Sequence, residues 1–337
     1  MSRPRVIVVD DSAFARTVLA RLMRASGQID VVATARDGND ALERIRQLDP
    51  DVVTLDLTMP EVDGLEVLRA LGSRPRPRVI VVSISAIDSE LGAEALTLGA
   101  IELIAKPTAL ANDRLHEIGA QLIATVLAAA RGAVLPAPPR SLVVAPRIGR
   151  GAELIMVGTS TGGPQALTRL ISALPASLGA PLTMVLHIPP GYTASLAARL
   201  DKISPLEVLE AEDGLELRPG RAVLARGGMH LRIERAGGVL VARLGPPTAR
   251  QFTPSVDEMF ETGVAAVGAG ALGVVLTGMG DDGLVGARKI AAAGGALLTE
   301  ASSSCVVYGM PRSVYEAGLG AVDVALDFMA EEITKRA

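Results

Sequence analysis

Short apolar runs in this chain stop abruptly at polar, chemistry-bearing residues, and that repeated arrangement narrows the fold more than composition does. Residues 6–9 lead into Asp10 and Asp11, and residues 52–55 lead into Asp56. Runs this rich in β-branched residues suit central strands of a parallel sheet, which are buried on both faces. In a doubly wound α/β sheet the ligand crevice lies at the carboxyl ends of the strands, so the three carboxylates are expected to converge there. Three carboxylates in one place repel one another unless a cation neutralises them. Oxygen donors in an open loop favour Mg²⁺, which keeps several waters and accepts a phosphate oxygen. Lys106, after a further apolar stretch, can supply a point charge for such a phosphate, and Ser83, ending the run that begins at Val79, a hydroxyl. One acidic residue at a strand end is explained as well by solvation alone; the whole constellation is not.

The chain has 337 residues, more than one hydrophobic core usually organises, so two domains are expected. Residues 131–150 read RGAVLPAPPRSLVVAPRIGR, rich in proline and glycine and without helical period, which marks a stiff, exposed linker. Before it, Asn112 or Asp113 would cap a helix running to about Ala130, with Leu115, Ile118, Leu122, Ile123 and Val126 on one side. The expected division is a first domain over 1–125, a helix end and linker over 126–151, and a second domain over 152–337. Aromatic residues make up 2% and tryptophan is absent, so both cores must be built from aliphatic side chains. A formal net charge of −4 offers no basic field for nucleic acid. The single cysteine, Cys305, leaves no internal disulfide framework and reads as a small core residue. No long apolar region follows the N-terminus and no stretch approaches the roughly 20 apolar residues of a spanning helix, so cytoplasmic residence is expected.

After the linker the pattern restarts. The strand-like run 154–157 is followed by GTSTGG at 158–163 and by Pro164, which suits the first turn of a helix. Strand, glycine turn and helix form the GxSxG arrangement that presents a serine on a sharp turn, here Ser160. A short glycine turn before a helix can equally cradle a phosphate. A serine nucleophile needs a base, and three histidines are available. His116 falls on the solvent side of the expected last helix of the first domain. His187 ends the apolar run 182–186, at another strand's carboxyl end, where it is a base or a capping histidine. His230, after ARGG in a hairpin-like region, is a loop residue or a substrate contact. A carboxylate to fix the histidine tautomer is offered by LTGMGDDG at 276–283, after the β-rich run 273–276, and Asp281 and Asp282 compete for that role. Glycines there allow exposed backbone amides to bind an oxyanion. The order serine, histidine, aspartate differs from that of the α/β-hydrolases, which would need Asp213 with His230 and would leave GMGDDG unused.

VVDDS at 8–12, LDLTMPEVDG at 55–64 and KP at 106–107 resemble the receiver domain of bacterial two-component response regulators over roughly residues 3–125. The resemblance implies a doubly wound, flavodoxin-like fold with Asp56 as phosphoacceptor. It also implies Mg²⁺ ligation by Asp11, Asp56 and the carbonyl of Thr58, support of the metal by Asp10 through water, and phosphate sensing by Ser83 and Lys106. Leu103 stands where the family often has an aromatic switch residue. GTSTGGP, LHIPPGYT, PSVDEMF at 254–260, TGMGDDG and CVVYGMP at 305–311 resemble, in that order, the catalytic domain of the CheB family of chemotaxis protein-glutamate methylesterases over about 152–335. That second resemblance implies an α/β domain with a mainly parallel sheet, Ser160 as nucleophile, His187 as base, Asp282 as orienting acid and the Met279 backbone N–H in the oxyanion hole, with no cofactor for the ester chemistry. Thr253 stands where many members have arginine, and Tyr308 where phenylalanine is frequent.

The implied activity is hydrolysis of glutamate γ-methyl esters on chemoreceptors with release of methanol, together with deamidation of receptor glutamines. A histidine kinase would phosphorylate Asp56, and the unphosphorylated receiver would cover the active site. No nucleic-acid partner and no membrane insertion are expected. Two rivals stand beside this reading: a binding module in which Ser160 and its glycines hold an anionic ligand, and an esterase of the same fold serving a receptor system outside flagellar chemotaxis.

Overall fold

The computed structural model describes residues 2–72, 77–84, 89–106, 118–131 and 151–337. The chain divides into two units, Met1–Gly132 and Ala133–Ala337. In the first, strands and helices alternate as β1 (Arg5–Val9), α1 (Ala13–Ala25), β2 (Asp30–Ala35), α2 (Gly38–Leu48), β3 (Val52–Leu55), α3 (Gly64–Leu71), β4 (Arg78–Ile84), α4 (Ser89–Thr97), β5 (Glu102–Lys106) and α5 (Gly119–Arg131). The strands are parallel, in the order β2-β1-β3-β4-β5, so β1 and β3 are central neighbours. Val6, Ile7, Val8, Val52, Val53 and Leu55 are fully buried, as continuous apolar runs in a sheet covered on both faces require. Helix starts are set by side-chain caps: Ser12 accepts from the Ala15 N–H before α1, and Asp63 with Glu66 forms a capping box on α3. In α5, Leu122 and Val126 are buried while Ile123, and Ile118 just before the helix, are only half-buried. Leu115, His116, the expected cap at 112–113, Pro107 and residues 132–150 of the expected linker lie outside the described residues.

The second unit runs β6 (Leu154–Thr159), α6 (Gly163–Ala173), β7 (Leu182–Leu186), α7 (Thr193–Ile203), β8 (Glu207–Glu210), β9 (Glu216–Leu217), β10 (Arg221–Leu224), β11 (His230–Ala236), β12 (Val239–Gly245), α8 (Val256–Val267), β13 (Ala271–Val275), α9 (Leu284–Ala292), β14 (Ala296–Glu300), α10 (Met310–Glu316), β15 (Val322–Val324) and α11 (Leu326–Thr334). A seven-stranded parallel sheet has the order β15-β14-β13-β6-β7-β10-β8. A separate antiparallel sheet has the order β11-β12-β9. The chain enters the large sheet at β6, builds outward through β7, β8 and β10, and returns to the other side of β6 with β13. The β6/β13 boundary is therefore a topological switch point, where open α/β sheets form their ligand crevice.

Leu154, Ile155, Met156 and Val157 of β6 are fully buried, each contributing on the order of 1.5–3 kcal/mol, so the strand that ends at the crevice is firmly held. Cys305 is buried, as a small core residue would be, and burial, with the nearby Glu300 and Asp323 charges, pushes its thiol far up. His230 is no loop residue. It opens β11 opposite Gly245, fully buried, the hairpin strand beginning one residue, Met229, after the glycines of ARGG.

Candidate active site

Two carboxyl edges carry the chemistry, one in each unit. In the first, Asp10 follows β1 and Asp56 follows β3. Ladder bonds carried one residue past each strand, Asp56 N–H to Val9 O at 3.0 Å and Asp10 N–H to Ala35 O at 3.2 Å, set them side by side. Asp11 stands exposed beside them, and the three carboxylates offer oxygens within 4.8 Å of one another. Lys106, ending β5, brings Nζ to 2.5 Å from Asp56 Oδ2 and 2.7 Å from Asp10 Oδ2. Burial alone would lower its pKa, but the Asp10 and Asp56 charges outweigh burial and raise it. Asp56 is itself pushed up, by burial first and by Asp10 in addition, against the lowering effect of Lys106.

Among the described residues one ammonium meets the three carboxylates, which leaves two negative charges uncompensated. The buried Asp10 Oδ2 lies 2.7 Å from Lys106 Nζ and has no hydrogen-bond partner among the described residues. An all-oxygen donor set with a deficit of two charges fits a hard divalent cation. Thr58 sits exposed on the loop just beyond, its N–H 3.5 Å from Asp56 Oδ1. Ser83, buried in β4, pairs in register with Ala105, the neighbour of Lys106. Leu103 is buried in β5.

The second edge gathers Ser160 from β6, His187 from β7 and Asp282 from the loop after β13. The Ser160 N–H donates to Thr277 O at 3.0 Å and the His187 N–H to Thr159 O at 3.3 Å, so the serine lies between the histidine strand and the 277–282 loop. Its turn closes with the Gly163 N–H on Ser160 O at 2.6 Å. Gly162, with φ +82°, caps α6, and a Cβ there would meet Val306 at 2.5 Å. At Gly278 a Cβ would lie 2.9 Å from Ser160 Cβ; glycine is what lets the loop pass against the serine.

That loop is pinned from beneath. The fully buried Glu300 accepts the Thr277 N–H at 2.8 Å and the Ser304 hydroxyl at 2.9 Å, and burial raises its pKa. Thr277 Oγ1 donates to Thr161 O at 2.9 Å and accepts the Val307 N–H at 2.9 Å. Gly278 O takes the N–H groups of Gly309 and Met310 at 3.0 and 2.9 Å, and Tyr308 bridges to Gly278, which fixes the backbone just before Met279.

His187 Nε2 lies 2.8 Å from Asp282 Oδ2, while the buried Nδ1 has no hydrogen-bond partner among the described residues. Asp282 also accepts the Ser255 hydroxyl at 2.9 Å and the N–H groups of Val256 and Asp257 at 2.7 and 3.0 Å. Burial would raise its carboxyl, but His187 and the amides opening α8 outweigh burial and hold it below the usual carboxylate range. PSVDEMF thus acquires a job that its spacing did not disclose: its first turn cradles the carboxylate. Asp257 caps α9 through the N–H groups of Gly283 and Gly286, at 3.0 and 2.8 Å.

Asp281 is exposed, and its carbonyl takes the Leu284 N–H at 3.0 Å, so Asp282 is the aspartate that meets His187. Asp213 instead accepts the Leu244 N–H at 3.0 Å, and His230 Nε2 faces Thr248 Oγ1 at 3.1 Å; the alternative Asp213–His230 pairing is not made. Phe252, which sequence reasoning missed, stacks on His187 with ring centroids 4.1 Å apart and 10° between planes. Chemically the edge combines a serine, a histidine with one nitrogen held by a carboxylate, and glycine-flanked amides, the parts an acyl transfer requires.

Residues 155–333 match the family described as CheB methylesterase, and residues 6–118 the response regulator receiver domain. The protein-glutamate methylesterase/protein-glutamine glutaminase 5 of Myxococcus xanthus is 55% identical over 333 residues, covering 96% of this chain and 95% of that one. A protein of Symbiobacterium thermophilum named protein-glutamate methylesterase/protein-glutamine glutaminase is 41% identical, covering 99% and 98%. Among solved structures, the crystallised CheB methylesterase catalytic domain of Thermotoga maritima is 36% identical with a TM-score of 0.54, covering 56% of this chain and 100% of that one. Among the described residues no helix is long and apolar enough to cross a membrane.

Proposed function

Because the chain belongs to the CheB methylesterase family and carries a receiver domain ahead of the catalytic domain, we propose that it is a phosphorylation-regulated protein-glutamate methylesterase, hydrolysing glutamate γ-methyl esters on chemoreceptors. The single observation that carries the catalytic assignment is His187 Nε2 at 2.8 Å from Asp282, on an edge whose adjoining strand ends at Ser160. Asp282 holds the Nε2–H tautomer, which leaves Nδ1 to take the Ser160 proton as Oγ adds to the ester carbonyl. The Met279 backbone N–H stabilises the charge that develops on the carbonyl oxygen. Collapse of the tetrahedral intermediate breaks the bond to the methoxy oxygen, His187 returns the proton there, and methanol leaves an acyl-Ser160. Water deprotonated by His187 then releases the glutamate and restores the serine. A glutamine amide passes through the same steps with ammonia as leaving group, so deamidation is the second activity.

In the receiver, Asp56 accepts the phosphoryl group from a histidine kinase. Asp11, Asp56 and the Thr58 carbonyl would hold Mg²⁺, with Asp10 behind it through water, and the ion would supply charge neutralisation for the incoming group. Ser83 and Lys106 would bond the phosphate from β4 and β5. The unphosphorylated receiver restrains the catalytic domain, with the division placed at 1–125, 126–151 and 152–337, and phosphorylation releases it; unchanged specific activity after removal of residues 1–150 would end that part. The protein works in the cytoplasm on receptors held in the membrane, without inserting.

Membranes carrying methyl-labelled chemoreceptors supply the test. Methanol release should rise with a small-molecule phosphodonor and Mg²⁺, and Ser160→Ala should lower it by about 10⁶-fold with the fold retained. Undiminished release in Ser160→Ala would sink the triad. No release from the intact protein would favour the anion-binding module.

A further inference from the structure

We propose that Phe252 is a positioning residue for the base: its ring holds the His187 imidazole in plane with Asp282 and favours the imidazolium that forms when Ser160 gives up its proton. The two rings lie face to face, 4.1 Å apart and within 10° of parallel. Asp282 constrains one edge of the imidazole through Nε2, while among the described residues Nδ1 has no partner, so the hydrogen bond alone leaves the ring free to roll about the Nε2–Oδ2 axis. A stacked aromatic face removes that freedom. It also presents its electron-rich surface to a ring that becomes cationic during the reaction.

The segment that carries Phe252 is anchored on both sides. Arg250 pairs with Glu258 at 2.5 Å and Glu261 at 2.6 Å on α8, and Ser255 bonds Asp282 at 2.9 Å. Cover and orienting carboxylate are therefore held by the same helix start. Asp282 is the charged group at bonding distance from His187; Asp257 and His230 act on or are acted on by Asp282, and Arg250 and Glu258 bear on His230 from the segment and α8.

The inference rests on the triad reading, so the full chain is tested with Phe252→Leu, Phe252→Tyr and His187→Ala in parallel. Leucine keeps an apolar cover and removes the π face. With Phe252→Leu we expect kcat to fall about tenfold with KM little changed, and the acid limb of the kcat profile to move to lower pH by up to about one unit. Phe252→Tyr should restore both, and active-site titration with a serine-directed fluorophosphonate run to completion should normalise kcat in Phe252→Leu and Phe252→Tyr, while circular dichroism reports the folded fraction of His187→Ala. A normal kcat and acid limb in Phe252→Leu overturns the proposal, and so does a lower kcat with an unmoved limb that tyrosine does not rescue. Activity retained in His187→Ala would overturn the triad itself, an outcome distinct from either.

Discussion

Asp56 and Asp282 both lie past the carboxyl end of a buried parallel strand, yet their surroundings are opposite. Asp282 is saturated by His187, the Ser255 hydroxyl and two backbone amides, none of which needs to leave, so it is a fixed anion below the usual carboxylate range. Asp56 shares one lysine with Asp10, is pushed up by its burial, and belongs to a cluster two charges short of neutral. A carboxylate meant to orient a base is best surrounded by permanent donors. One meant to accept a group and a cation is best left short of them.

The comparison breaks most visibly at Asp282. Asp282→Asn should lower kcat by about 10⁴-fold, since an amide can stabilise the wrong imidazole tautomer and no imidazolium. Because the folded pKa of Asp282 is depressed, the stability it contributes is present above the ordinary carboxylate value and lost as pH falls through the depressed one; acid unfolding of Asp282→Asn should lack that component.

Next in size is the receiver's response to Mg²⁺. At a concentration about 100 times its dissociation constant the ion should stabilise the receiver by about 2.7 kcal/mol, read as a rise in its thermal midpoint, and Asp11→Ala should abolish most of it. An equal response in Asp11→Ala would show that the uncompensated charge is not what the ion meets.

Glu300 sharpens the contrast, being a saturated carboxyl whose pKa is nevertheless raised. Glu300→Leu leaves the buried Thr277 N–H without its acceptor and the Ser304 hydroxyl with Ala301 O alone at 3.2 Å, and should cost about 1–3 kcal/mol by denaturant unfolding. Its folded carboxyl binds a proton more tightly than the unfolded one, so its contribution is full below the ordinary carboxylate value and fades as pH rises through the raised value. Glu300→Gln should flatten that decline. The smallest effect belongs to Asp56→Asn, which should leave basal esterase activity in place and remove the phosphodonor's stimulation. A bias of about 1.4 kcal/mol would make that stimulation tenfold.

Strand ends were legible in the sequence because one-dimensional order is enough to state them: residues 182–186 are apolar and His187 follows. Which aspartate of MGDDG faces inward was legible only through the family resemblance, since adjacent residues in a loop differ only by tertiary contacts; α8 offers its first amides to Asp282. Phe252 was invisible for a similar reason. A lone phenylalanine after RQ carries no period, and its partner belongs to a strand far back in the chain. His230 looked like a loop residue because glycines precede it, yet the antiparallel sheet starts on it. Glu300 carries no sequence signal either; only the fold brings the buried Thr277 N–H to it.

The aromatic cover on His187 has a use in the laboratory. The chain contains no tryptophan, so Phe252→Trp would introduce the sole indole against a dark background. An indole lying on an imidazole is quenched when that imidazole is protonated, and its emission would then follow the charge state of His187 in real time, photon by photon.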